Sequence, residues 1–204
     1  MDESVFHEII ARAHEQRGIE FKGSGNKKDK HLFTKVTRAA QSMANRRDGG
    51  IVIIGIDENK NGELNLVGLT DKDLLSWERD ELADSFAEFS DPPFSFEVET
   101  IGYEGKSFVV ITVDEFADIP ILCKKSFPDV LRKGACYVRT RRKPETVEIP
   151  SQENMRDLLE LAIEKGVRRF IQQAFSAGLS LSPETITTDE QHFENQINDF
   201  YGAR

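Results

Sequence analysis

Sulfur is scarce in this chain. Two cysteines, Cys123 and Cys136, occur in 204 residues, with neither CxxC spacing nor a histidine-rich neighbourhood. That argues against a structural zinc site built from this chain alone. It leaves free thiols, a bridge between adjacent strands, or a share in a metal site. Long apolar runs are missing too: nothing approaches the roughly 20 apolar residues of a membrane helix. The opening MDESVFHEII carries acids where a signal peptide carries bases, so the expectation is a soluble, cytoplasmic protein. Nucleophile motifs are also wanting. There is no GxSxG, the four histidines (His7, His14, His31, His192) are scattered, and neither cysteine has a base nearby, so hydrolysis through a covalent intermediate has no support. GSGNKK, residues 23–28, lacks the GxxxxGK[ST] frame of a phosphate loop and reads as a basic flank.

What is present is charge, unevenly spread. The chain has 38% hydrophobic and 31% charged residues and a net charge of −9, which suits one globular domain with a substantial core. Residues 71–104 hold eleven acids against Lys72 and Arg79, whereas residues 122–145 hold eight bases against Asp129 and Glu145. Such a polarised chain can present a basic face to phosphates despite its acidic total. A solvated charged surface is the alternative.

Periodicity predicts the elements. Val5, Phe6, Ile9, Ile10 and Ala13 recur at helical spacing over 3–16, with Gly18 as a stop, and 18–22 follows as a short strand. Residues 31–45 place Leu32, Val36, Ala39, Ala40 and Met43 on one helical face. IVIIGI, 51–56, is a β-branched run suited to the middle of a sheet. After a polar turn, LNLVGL pairs back as a hairpin. Residues 71–90 read as one acidic helix with Leu74, Leu75, Leu82, Phe86 and Phe89 toward the core. FSFEVETI and KSFVVITV flank GYEGK as a hairpin, ACYVRT makes a later strand, and Ser151 caps a helix to about residue 175. This order predicts an α+β domain with a mixed sheet over 1–175. A C-terminal acidic tail, 176–204, carries Phe193, Ile197, Phe200 and Tyr201 as an amphipathic stripe.

The acids at element ends are the chemical candidates. With Ile19 and Phe21 pointing to the core, the period of two sends Glu20 and Lys22 to the other face. Glu15 precedes that strand, and Asp57 closes IVIIGI, where a buried strand meets a loop. If the strands are neighbours, Glu15, Glu20 and Asp57 can converge. Three carboxylates repel, so such a cluster would hold a divalent cation, Mg²⁺ or Mn²⁺, that activates water for phosphodiester cleavage while Lys22 steadies the phosphate. A solvated strand face is the plainer alternative.

GIEFKGS, then AAQSMANRRDGGIVIIGIDENKNGELNLVGL, then YVRTRRKPETV resemble the Schlafen-type AlbA domain over about residues 12–150. In that family a strand reads E-F-K, a helix ends in A-x-A-N before G-G, the next strand runs into G-[IV]-D-[DE], and a late strand reads Y-x-R. Met43 stands where an alanine–phenylalanine pair is usual, and RRDGG is longer and more basic than the common loop. The resemblance implies a single-lobe, mixed-sheet Schlafen/AlbA-like fold. It implies a metal-dependent endoribonuclease acting on structured RNA such as tRNA, RNA being favoured over DNA, through two glutamates five residues apart and a later aspartate. Glu15, Glu20 and Asp57 have those positions. Lys27, Lys28, Arg46, Arg47, Arg139, Arg141, Arg142 and Lys143 are then the expected grip on the nucleic-acid backbone. Eukaryotic Schlafen cores have two lobes and a zinc site. A clamp built from this one lobe would need a homodimer. A non-catalytic nucleic-acid-binding regulatory module is the alternative.

Overall fold

The computed structural model describes residues 3–11, 17–59, 63–140 and 144–178. Glu15, Arg141, Arg142, Lys143 and the tail beyond residue 178 lie outside the described residues. The chain divides into two compact units, residues 1–165 and 166–204. The first is an α+β domain.

Its centre is a four-stranded sheet. The strands are β1 (Ile19–Lys22), β2 (Gly50–Ile54), β6 (Phe96–Tyr103) and β7 (Lys106–Val113), in the order β1-β2-β7-β6. β1 runs parallel to β2, with Glu20 opposite Val52 and Lys22 opposite Ile54. The other pairings are antiparallel. A parallel pair needs a crossover, supplied here by α2 (Lys30–Ala44), whose first turn is capped by the Asp29 carboxylate accepting from the His31 and Leu32 amides.

Both faces of the sheet are covered, which is why β2 is an unbroken apolar run. Val52, Ile54, Val109, Ile111 and Val113 pack against Phe33, Val36, Ala39, Ala40 and Met43 of α2. The alternate residues Phe21, Ile53, Ile101, Phe108 and Val110 cluster with Phe6 and Ile9 of α1 (Glu3–Ala11). Each buried valine, isoleucine, phenylalanine or methionine among them contributes about 1.5–3 kcal/mol.

The expected 51–56 strand is broken in the structure. Gly55, with φ +109, turns the chain out of β2 into β3 (Ile56–Glu58), which pairs with β4 (Leu64–Leu66) as a separate hairpin. The expected acidic helix is also broken, into α3 (Asp71–Leu74), a 3-10 turn (Leu75–Trp77) and α4 (Arg79–Phe89). Leu75, expected in the core, is 66% exposed, and Trp77 takes the buried place, its indole donating to the Gly25 carbonyl at 2.9 Å. The aromatic ring outweighs the leucine because it buries more apolar area and still finds an acceptor.

Two small sheets complete the unit: β5 (Ser90–Asp91) with β8 (Leu122–Cys123), and β9 (Tyr137–Arg139) with β10 (Thr146–Glu148). The last described helix, α5 (Gln152–Ser176), starts at Ser151, whose hydroxyl accepts from the Asn154 amide. No described helix is long and apolar enough to cross a membrane.

Candidate functional site

β1 is an edge strand, so residues on its α2-facing side meet whatever packs beyond that edge. Glu20 sits there, 8% exposed. A buried carboxylate needs partners, and it has two cations: Lys22, on the same strand and face, and Arg139 from β9. The Arg139 guanidinium also donates to two carbonyls of the segment entering β1, through Nε to Arg17 at 3.2 Å and through Nη2 to Ile19 at 2.9 Å. The E-F-K and Y-x-R motifs, more than a hundred residues apart in sequence, therefore meet as one buried ion-pair network. Arg139 is among the residues expected to grip the nucleic-acid backbone. Its side chain is fully buried and faces Glu20.

Asp57 reaches the same region from β3. The Gly55 amide donates to the Lys22 carbonyl at 2.9 Å, which holds the β2–β3 bend against the end of β1. A methyl group on Gly23 would collide with Asp57 Oδ1, so the glycine admits the carboxylate beside the chain leaving β1. Glu20, Lys22 and Asp57 line one cleft of about 690 Å³. Lys35 and Arg38 of α2 line it too, as do Glu58 and Glu145. Bases on α2 and acids on β3 thus give the cleft mixed charge. Arg38 stacks its guanidinium 5.1 Å from the centre of the Tyr137 ring and donates to the Thr146 carbonyl at 2.9 Å, while its Nε is buried without a hydrogen-bond partner among the described residues. Burial pushes the Tyr137 hydroxyl above its ordinary pKa. Sequence reasoning missed Lys35 and Arg38. The available signal was their i, i+3 spacing on the polar side of a helix that follows the E-F-K strand.

The remaining expected bases are placed as follows. Lys27 donates to the Glu81 carboxylate at 3.0 Å, Arg47 to Glu164 at 2.7 Å, and Lys28 is exposed. The Arg46 guanidinium lies against Gly18, where a Cβ would come within 3.2 Å of Nη1, and it donates to the Gly49 carbonyl. In the 122–145 segment, Lys125 pairs with Glu88 and Arg132 with Glu148. Arg132 holds Glu148 below the usual carboxylate range. With Arg139 on Glu20, three of the five described bases of the segment are matched by acids of the same chain.

The A-x-A-N and G-G motifs have structural work. Asn45 is buried and donates through Nδ2 to the Ile121 carbonyl at 2.8 Å and the Tyr137 carbonyl at 3.0 Å, while its Oδ1 accepts from the Ile121 amide at 2.7 Å. It fixes β9, and with it Arg139. Gly49 has φ +62, and a Cβ there would strike the Val113 carbonyl. Both cysteines are free. Burial pushes the Cys136 thiol up to about 11, so it is protonated near neutral pH.

For a divalent cation, the cleft offers the carboxylates of Glu20, Asp29, Asp57, Glu58 and Glu145, yet no group of three His, Cys, Asp or Glu side chains among the described residues could hold a metal ion. Both oxygens of Glu20 already accept from cations. The described residues alone therefore do not make the expected metal site, and its third member, Glu15, lies outside them.

Comparisons with known proteins bear on the family. Curated protein sequences yield no match. Among solved structures, the DIP2311 protein of Corynebacterium diphtheriae aligns with a TM-score of 0.49 and 16% identity over 76% of this chain, which spans 29% of that protein. The N-terminal domain of a RecG-related protein from Nitrosomonas europaea aligns with a TM-score of 0.46 and 24% identity, covering 69% of this chain and 94% of that domain. The pattern of the family described as Schlafen, AlbA_2 matches residues 15–148, a span that holds Glu20, Lys22, Asp57 and Arg139. The chain belongs to the Schlafen, AlbA_2 family.

Proposed function

We propose that this domain binds nucleic acid, structured RNA in preference to DNA, with the sugar–phosphate backbone seated in the Glu20–Asp57 cleft. One observation carries the reading. Separate strands bring Glu20, Lys22 and Asp57 into a single cleft beside Lys35 and Arg38, and the buried Arg38 Nε has no hydrogen-bond partner among the described residues. Family membership supports a nucleic-acid-related role in general terms. The mixed lining supports RNA in particular. Lys35 and Arg38 suit phosphate oxygens, while the exposed Asp57 and Glu58 can accept from 2′-hydroxyls, a donor that DNA lacks.

Fluorescence anisotropy with labelled tRNA, in chelator and over a salt series, tests this. Affinity is expected to fall linearly in log–log form with salt, and Lys35→Glu to weaken binding and lower the slope by about 1 or more. Absence of salt-dependent binding by the wild type refutes the reading. Equal affinity for duplex DNA removes the RNA preference.

The second reading is divalent-metal-dependent endoribonuclease activity with Mg²⁺ or Mn²⁺, favoured by the shared cleft of Glu20 and Asp57 and by the placement of Glu15 five residues before Glu20. Glu20 is a poor probe because it is half of a buried ion pair. Asp57 is exposed, so Asp57→Asn and Glu15→Gln are the informative variants. Cleavage of tRNA with Mn²⁺ at wild-type rate by both would eliminate this reading.

A further inference from the structure

The C-terminal helix carries apolar surface that the domain does not use. In the first unit, α5 turns Leu158 and Leu161 into the core, each 4% exposed. On another side of the same turns it leaves Met155, Leu159 and Ile163 between 42% and 64% exposed. These three recur every four residues and form one stripe. A surface helix needs one apolar face, and a second marks a contact with something else. The flanks of this stripe are acidic: residues 152–164 hold Glu153, Asp157, Glu160 and Glu164, the last of them paired with Arg47, against Arg156. The part of α5 in the second unit has the opposite character. Residues 166–176 contain Arg168 and Arg169 and no acid, with Val167 and Phe170 more than half exposed. A Cβ on Gly166 would meet nothing within 4 Å among the described residues, so none of them demands this helical glycine, which costs about 0.5–1 kcal/mol relative to alanine.

We propose that a second copy of this chain covers the Met155–Ile163 stripe, two α5 helices pairing antiparallel so that the basic 166–176 segment of each lies on the acid-flanked stripe of the other. The arrangement is self-complementary, as a two-fold interface must be. One register sets Leu159 against Phe170 of the other copy and Ile163 against its Gly166, where the missing side chain lets the backbones approach. Charge decides between this occupant and the chain's own C-terminus. Residues 179–204 carry five acids and one base, so they would meet repulsion on the acidic stripe, whereas the 166–176 segment meets attraction.

Sedimentation equilibrium or light scattering on the full chain tests this. The wild type should show twice the 23.1 kDa chain mass, with dissociation on dilution. Ile163→Asp, at an exposed position, should run at the chain mass with an unchanged circular dichroism spectrum. R168E/R169E should also run at the chain mass, as should E153R/E160R. An equimolar mixture of those two charge variants should regain the dimer. A wild type that stays at the chain mass at every concentration, an Ile163→Asp variant that still dimerises, or a mixture that does not recover the dimer overturns the proposal. A monomeric wild type destabilised by Ile163→Asp would assign the stripe to a segment of its own chain instead.

Discussion

Removing Arg139 should damage this protein more than any loss of surface charge. Its guanidinium is fully buried, pairs with the buried Glu20, and ties the Arg17 and Ile19 carbonyls to β9. In Arg139→Ala the Glu20 carboxylate stays in a water-poor site with Lys22 as its remaining described cation. Breaking one half of a buried pair costs about 3–5 kcal/mol. For a chain of this size each kcal/mol is worth roughly 2–4 °C in Tm, so a fall of about 6–20 °C is expected. Glu20→Ala should fall by a comparable amount, because it strands the arginine instead. Replacing both with apolar residues of similar volume, as in E20M/R139M, should recover most of the loss, since no unpaired charge then remains. Chemical denaturation of E20M, R139M and E20M/R139M closes a cycle whose coupling should exceed about 2 kcal/mol. Single losses below about 1 kcal/mol, or additive losses in the double variant, would refute the argument. The same cycle bears on function: an inactive Glu20→Ala protein would report an unfolded site as readily as a missing ligand.

Two further predictions follow from the same geometry. Asn45→Ala leaves the Ile121 amide and the Ile121 and Tyr137 carbonyls without their side-chain partner. At roughly 1 kcal/mol for each orphaned group, it should cost about 3 kcal/mol in urea melts, and a loss below about 1 kcal/mol would contradict the assigned role. Cys136 gives an alkaline signature. Both folded and unfolded chains hold the thiol proton below pH 9, and the unfolded chain releases it first, because burial raises the folded thiol from 9.0 to about 11. Stability should therefore fall as pH rises between about 9 and 11, by about 2–3 kcal/mol at most. Cys136→Ala should remove that part of the slope, and an identical pH profile for wild type and variant would show that the thiol is not desolvated.

Much of the architecture is legible in local pattern. The E-F-K strand, the 31–45 helix, the 96–113 hairpin and the helix after Ser151 follow from periodicity and caps, since these act between residues a few positions apart. The breaks within 51–56 and 71–90 were not legible, because they depend on what lies across space: the bend at Gly55 seats the Val67 and Gly68 amides on the Gly55 carbonyl, and Trp77 finds the Gly25 carbonyl. The meeting of Glu20, Lys22 and Asp57 in one cleft could be inferred from strand faces and strand ends, given that β1 and β2 are neighbours. The identity of Glu20's partner could not, since Arg139 lies 119 residues away in a segment whose composition suggested a solvent-facing basic patch. Sequence by itself determined the alternation that turns Glu20 and Lys22 away from the Phe21 core, because a pleated strand has no other period. Only the tertiary structure decided which charges are spent inside the molecule and which face solvent, because Coulomb attraction in a buried site depends on distance through space and on excluded water, neither of which is written along the chain.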